Sequence, residues 1–543
     1  MKKKILLVNE YSELNTGFSV IGKAIWSRLF DIDKYDLAEL ATYSEHGDPR
    51  HFATPWKVYP GIPHPSDEAA TKFYQSNYIG QFGAAVFDQV VLDYKPDIVV
   101  TWMDPFMIKY INDSPFRDKF KFLVMACVDS RPQQAAWLEF YAQADKLVGY
   151  ARYTKTVLEE ELPERLKIDH LIRPGVDTNV FKPLDKNKCR EELGLSKDSN
   201  IILTVMRNQR RKLFPDLIET FRDYLKKYKD KNTYLYLHTS YPDVGFDIAR
   251  HVMQSGVSHR ILTTYICENC KLVEASHFRS EITPCKRCGE LAAHMPNTSY
   301  GVTRETLAQI HNAADLYIQY SIAGALEMPI CEAKACGVPA LAVDYAAMSE
   351  QVEVEGCDKI EVAKTFHEAV IETEQIRALP DNEDAIEKIR MFFQAQPEDR
   401  RRWSKNAYND AQNYSFDRAA KVFEQAIDEV ETNNLQLAWH HPKTSLPPMS
   451  KDFPQTSSNI EFVDWCIDNI LGEPHLKESY WKSVLIKNLG VGYESEKGQR
   501  RKFDRNDCIN LFMGRAYNKA IWEKRRVGSL NVEQEDLVKW RLI

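Results

Sequence analysis

The chain is 543 residues long, too long for a single hydrophobic core, so two large lobes and a smaller unit are expected. Its composition, 44% hydrophobic and 27% charged, is that of a water-soluble protein, and a formal charge of -7 argues against a chain that coats nucleic acid non-specifically, leaving only local basic patches. No apolar run reaches membrane length, and eleven cysteines, an odd number without secretory context, read as reduced or metal-bound thiols in a cytoplasm.

From the N-terminus, MKKKILLVNE is basic, then briefly apolar, and meets Asn9 and Glu10. That reads as a first buried strand over Ile5–Val8, not a signal peptide. A polar loop leads to Gly17, after which Val20, Ile21, Ala24, Ile25 and Leu29 recur with helical period. Gly17 either serves a plain turn or lets backbone approach a phosphate or sugar closely. Further strands are predicted over Ile98–Thr101, Phe122–Val128 and Lys146–Val148, with Phe82–Tyr94 and Gln133–Ala142 among the intervening helices or loops. Alternating strands and helices predict a doubly wound, Rossmann-like α/β lobe over residues 1–172. Two acids close strands at their carboxyl ends, where the active groups of such sheets lie: Asp104 in TWMD and Asp129 in ACVDS. Asp129 is the better functional candidate, because Pro132 keeps the backbone around Arg131 extended.

RPGVDTNVFKP, Arg173–Pro183, interrupts the pattern as an interlobe connection would, and a second lobe is expected over residues 173–414. Its strand Ile201–Met206 is followed by a basic loop, RNQRRK, and a helix over Leu217–Tyr228. Arg207 and Lys212 share that loop, so the pair either clamps a diphosphate and neutralises a leaving group or forms a solvated basic turn. The stretch YIQYSIAGALEMPICEAKACGVPALAVD reads as a strand over Leu316–Tyr320, a loop, a helix starting near Pro329, and a strand over Pro339–Val343. Gly337 and Pro339 stop that helix. Glu332 lies in its first turns, where a carboxylate either caps the helix or accepts ribose hydroxyls beside a bound phosphate.

Between Ile266 and Pro296 stands CENCKLVEASHFRSEITPCKRC. Cys267 with Cys270 and Cys285 with Cys288 are two CxxC knuckles, the spacing of a four-thiolate zinc ribbon. A closed four-cysteine site keeps no open coordination position, so a structural zinc is expected within 265–296, in a finger near the cleft mouth. It either touches the acceptor or only stabilises a long loop. Helix Arg304–Ala314 follows. In the tail, 433–458 reads as a proline- and serine-rich linker, and 459–543 as a helical module with helices over Ile460–Leu471, Tyr480–Leu489 and Asn506–Lys524. Its small core is assigned to Trp465, Trp481, Phe512 and Trp522, and GQRRKFDR, Gly498–Arg505, to a basic loop that either touches phosphates or is a solvated surface turn.

RPGVDTNVFKP, then Arg207 and Lys212 after a strand, then EAKACGVPALA resemble in order and spacing the retaining family 4 glycosyltransferases of the GT-B fold, over roughly Met1–Val430. The resemblance implies two Rossmann-like lobes and a nucleotide-sugar donor whose diphosphate is held by Arg207 and Lys212. It places Gly17 near the diphosphate and Glu332 on the donor ribose, and needs no divalent cation. It also implies that SFDRAAKVFEQAIDEV, within 415–432, is a helix crossing back to the first lobe. Two departures stand out. The family's second glutamate, eight positions before Glu332, is Gly324 here, with Glu327 the nearest acid, and Asp129 stands where a histidine often ends the first-lobe strand. The site expected is therefore Asp129, Arg207 and Lys212 as catalytic groups, with Gly17, Glu327 and Glu332 joining the two cations around the donor. Phage-encoded enzymes with such a ribbon look similar. One acceptor is accordingly a hydroxymethylated base of viral DNA, flipped from the stack in a host cytoplasm. A glycan, lipid or small-molecule hydroxyl is the other, and a non-catalytic nucleotide-sugar or nucleic-acid binding protein is the rival class.

Overall fold

The computed structural model describes residues 2–432, apart from 115, 298–299 and 370–372, then 458–471 and parts of 477–512. The linker expected over 433–458 lies outside the described residues except for Ser458, as does most of the helix expected over Asn506–Lys524, with Trp522.

The first lobe is a six-stranded sheet of β1 (Lys4–Glu10), β2 (Asp36–Thr42), β3 (Lys57–Pro60), β4 (Ile98–Thr101), β5 (Lys121–Ala126) and β6 (Lys146–Gly149). All pairs are parallel and the order is β3-β2-β1-β4-β5-β6. Helices cover both faces, so strands such as β1 are near-continuous apolar runs, with Ile5 to Val8 fully buried. The order reverses between β1 and β4, which opens a crevice at their carboxyl ends, beyond Glu10 and Thr101.

The second lobe holds β7 (Asn200–Val205), β8 (Thr233–His238), β9 (Ile261–Cys267), β10 (Val273–Ser276), β11 (Ile282–Pro284), β12 (Leu291–His294), β13 (Leu316–Gln319), β14 (Ala340–Val343) and β15 (Asp358–Ile360). Its parallel part runs β9-β8-β7-β13-β14-β15 and reverses between β7 and β13. That switch point sets the basic loop after β7 against the loop after β13. The far end of β9 leaves the lobe and pairs antiparallel with β10 and β12, so the cysteine insertion grows directly out of the sheet.

A hairpin of β16 (Val362–His367) and β17 (Ile376–Pro380), which the sequence reading does not contain, hangs from the second lobe and touches the first. The Ile376 N–H donates to the Arg131 carbonyl at 2.8 Å, and Gln134 donates to the Thr373 carbonyl at 3.3 Å. The helix Phe416–Asp428 returns to the first lobe. Its buried stripe of Ala419, Ala420, Phe423, Ala426 and Ile427 has helical period, and Arg28–Asp417 (2.5 Å) and Lys34–Glu424 (2.9 Å) pin it to the helix Gly17–Asp31 and the turn after it.

Several boundaries move from expectation. The helix expected over Phe82–Tyr94 starts only at Phe87, because Gly83, at φ +102°, ends a separate 3₁₀ turn over Tyr78–Phe82. In the tail, helices Asn459–Cys466 and Tyr480–Asn488 pack Phe462, Val463, Cys466 and Leu485 with Phe512. The basic loop is corrected in part: Arg500–Lys502 is a strand, β19, paired antiparallel with β18 (Gly492–Glu494). Backbone bonds between Gly490, Val491 and Phe503 (2.8 and 3.0 Å) close the base of that hairpin, giving the segment's polar backbone partners that a free loop would lack.

Candidate nucleotide site and four-cysteine cluster

The loop after β7 and the loop after β13 are zipped together by backbone. Ile322 N–H donates to the Arg211 carbonyl at 3.0 Å, and Lys212 and Ser321 form an antiparallel bridge. This fixes where the cations point. Lys212, 3% exposed, reaches the Glu327 carboxylate at 2.5 Å, and Arg211 reaches the same oxygen at 3.1 Å. Gln351 locks the Glu327 backbone from below, donating to its carbonyl and accepting from its N–H, both at 2.9 Å. Burial pushes the Lys212 ammonium down to about 8, with Arg211 adding to the effect against the pull of Glu327. Burial acts upward on Glu327, but Lys212 and Arg211 outweigh it and hold the carboxyl below its ordinary range.

Glu327 is the N-cap of the helix Met328–Ala335, with Pro329 in its first turn and Gly337, at φ +75°, just past its end. An added Cβ at Gly324 would stand 2.6 Å from a Glu327 carboxylate oxygen. The displaced glutamate thus fills the room that a side chain at 324 would occupy. Glu332, 2% exposed, sits within the same helix with Arg304 3.3 Å from one oxygen and His311 3.5 Å from the other. Burial alone would raise its carboxyl, and the Arg304 charge and His311 bring it below the usual value. Behind them His238 shares a 2.8 Å hydrogen bond with Thr264 and is pushed down to about 4 by burial and by His311.

Arg207 forms a bidentate pair with Asp243 at 2.9 and 3.1 Å. Gly245 permits this loop to close: a Cβ there would lie 2.3 Å from the Asn208 side chain, whose amide holds both the N–H (2.8 Å) and the carbonyl (2.7 Å) of Phe246.

On the first-lobe side, Thr16 caps the helix at Gly17 and its hydroxyl donates to Glu10. The space above Gly17 faces Met328, whose methyl lies 3.9 Å from where a Cβ would be. Asp104 is pushed up to about 7 by burial and then by the charge of Asp129. Asp129 pairs with Arg377 of the β17 hairpin at 2.9 Å and accepts from Ser130 at 2.8 Å, and Arg377 also holds Glu368 at 2.9 Å.

The structure therefore brings Gly17, Lys212 and Glu327 to one end of the Met328 helix, with Glu332 along it and Arg207 on the neighbouring loop. Asp129 stands on the opposite lobe, occupied by an interlobe ion pair. Sequence reasoning missed Glu10, Arg211, Asp243, Arg304, His311 and Arg377. Two of them had a local signal: Glu10 as the acid closing the first strand, and Arg211 as part of the basic loop RNQRRK.

Cys267, Cys270, Cys285 and Cys288 place all four sulfurs within 4.8 Å of one another, with Cys267–Cys288 and Cys270–Cys285 both at 3.6 Å. A zinc tetrahedron with Zn–S near ~2.3 Å has sulfur–sulfur edges of about 3.8 Å, so the set fits zinc, and the separations are far beyond a disulfide's ~2.05 Å. Backbone N–H groups of Cys270 (3.5 Å) and Arg287 (3.4 Å) point at the sulfurs, as in a knuckle that stabilises thiolates.

Two parallel, switch-pointed lobes facing across a crevice, with the last helix of the pair returning to the first lobe, define the GT-B fold. Among solved structures the chain is similar to a sucrose-phosphate synthase from Thermosynechococcus elongatus, with a TM-score of 0.55, 16% identity, and coverage of 79% of this chain and 99% of that one. It is also similar to HepE from Anabaena in complex with UDP and glucose, and to a glycosyltransferase from Rickettsia africae. Each of these has a TM-score of 0.53, 14% identity, and coverage of 79% and 100%. No protein-family model and no curated protein sequence matches the chain.

Proposed function

We propose that the protein is a retaining glycosyltransferase that takes its sugar from a nucleoside diphosphate sugar bound to the second lobe. The observation that carries this is the meeting, at the switch point of the second sheet, of Arg207, Arg211 and Lys212 with the Glu327–Glu332 helix start. A sugar nucleotide needs cations where the diphosphate departs and a fixed carboxylate for ribose hydroxyls, and a buried ammonium acts on that developing charge without reorganising. Lys212 and Arg207 take the diphosphate, Glu332 takes the ribose, and Glu327 holds Lys212 in place until the donor arrives. Likeness to a fold that binds UDP and glucose in HepE favours a uridine nucleotide. The bond broken joins the anomeric carbon to the diphosphate, and an acceptor hydroxyl entering from the first lobe forms the new one. The four cysteines hold a structural zinc, whose closed shell takes no part in the chemistry.

Release of nucleoside diphosphate from a panel of sugar nucleotides tests this. Wild type is expected to turn over at least one donor, even slowly by hydrolysis, and Glu332→Ala to lose that turnover. A folded wild type that releases nothing from any donor would leave a binding protein.

A further inference from the structure

The first-lobe wall of the cleft carries exposed aromatic rings that the donor chemistry does not use. Phe82 is their hub: Tyr43 and Tyr78 stand against it edge-to-face at 6.2 Å, and Phe106 at 6.4 Å. Three of these rings face solvent, Tyr78 at 59%, Phe106 at 42% and Tyr43 at 36% exposure. They come from the carboxyl-end side of the sheet. Tyr43 follows β2 directly and holds a left-handed backbone at φ +64°, a conformation that a bulky residue adopts at a cost. Phe106 stands two residues after Asp104, in the first turn of the short helix that Asp104 precedes, and Tyr78 donates to the Phe106 carbonyl at 3.3 Å, tying the two segments together. Glu10 is the register partner of Thr42, the residue before Tyr43, and Asp104 directly precedes the turn that carries Phe106 on the neighbouring strand's end, so the rings and the two carboxylates stand at the carboxyl ends of three adjacent strands.

Resting on the glycosyltransferase reading, we infer that this wall is the acceptor subsite and that it takes an uncharged sugar ring. Exposed aromatic faces offer apolar planes that stack on the C–H face of a pyranose or furanose, and carboxylates beside them accept its hydroxyls. The charge of the wall selects among ring-bearing acceptors. A phosphodiester strand entering here would bring its anions against Glu10 and, above about pH 7, against an ionised Asp104, whereas a neutral sugar meets hydrogen-bonding carboxyl groups. The exposed rings are held by each other and by backbone, so the platform is formed before a ligand arrives.

Saturation-transfer NMR with methyl glycosides of glucose, galactose, mannose and arabinose reads this directly, because binding does not require turnover. At least one glycoside is expected to bind wild type, to bind Phe106→Ala and Tyr78→Ala about tenfold more weakly, and to recover with Tyr78→Phe, which keeps the ring. The same glycoside should accelerate nucleotide release, with the acceptor KM raised in Phe106→Ala and the donor KM unchanged. Binding of no glycoside to folded protein, or release stimulated by hydroxymethylcytosine-containing DNA and by no sugar, would overturn the inference. Basal donor hydrolysis that persists in those cases would show that the donor reading survives it.

Discussion

On the second-lobe side of the cleft the charged groups named above come paired. Lys212 and Arg211 sit on Glu327, Arg207 on Asp243, and Arg304 and His311 on Glu332. On the first-lobe side, exposed aromatic rings stand at the strand ends that carry Glu10 and Asp104, and the acid expected to act there, Asp129, is tied to the other lobe through Arg377. One wall is a preorganised electrostatic device, costly to leave without partners; the other is a stacking surface whose parts already hold their shape. A leaving diphosphate demands the first kind of wall, and a neutral acceptor demands the second.

The sharpest way to break this contrast is to remove the centre of the electrostatic wall. Glu327→Ala leaves a buried ammonium unpaired, so stability should fall by about 3 kcal/mol or more and nucleotide release by about a hundredfold or more. Denaturant unfolding beside a turnover assay checks both, and a stability loss under about 1 kcal/mol would show that the pair is not the clamp. Next in size is the zinc cluster. Cys285→Ala should lose the bound zinc, one equivalent per chain by elemental analysis, and lower Tm by several degrees or more, since a structural site contributes folding energy outright.

The pH response sharpens the contrast further. Folding lowers the Lys212 pKa to about 8 from 10.5, so the charged form is disfavoured in the native state. The cost of that burial is fully felt below pH 8, and stability rises as pH climbs from about 8 to 10.5. Activity should move the other way, kcat/KM for the donor falling above about pH 8 as the ammonium is lost, and Lys212→Arg should shift that falling limb upward. Asp104 carries the opposite sign: its raised pKa favours the folded state at low pH, a contribution lost as pH rises from about 4 to 7. Smallest of all is the interlobe tie. Arg377→Ala should change turnover only a few-fold, because Asp129 keeps Ser130 and one-third exposure to water, while the loss of the partner of the more buried Glu368 should cost about 2 kcal/mol of stability.

The two walls also differ in how well they could be read from the chain. Arg207 and Lys212 lie on one loop, Glu332 in the first turns of one helix, and each cysteine pair in one knuckle, so spacing made them candidates, whereas Glu327 came to notice only through the family resemblance. Asp129 looked like a free carboxylate because its partner, Arg377, lies 248 positions away on a hairpin whose strand VAKTFH mixes charge with apolar residues. Likewise Asp243 and Arg304 complete the donor wall from segments with no motif. The aromatic wall is drawn from three separate stretches, around 43, 78–82 and 106, with no periodicity that joins them. Local chemistry was legible; partners supplied by tertiary packing were not.

Calorimetric titration of UDP into wild type, Glu332→Ala and Tyr78→Ala tests the division between the walls most directly. Saturable binding to wild type, weakened at least tenfold by Glu332→Ala and unchanged by Tyr78→Ala, is the result this account predicts. Equal loss in both variants, or UDP binding that Glu332→Ala leaves intact, would contradict it.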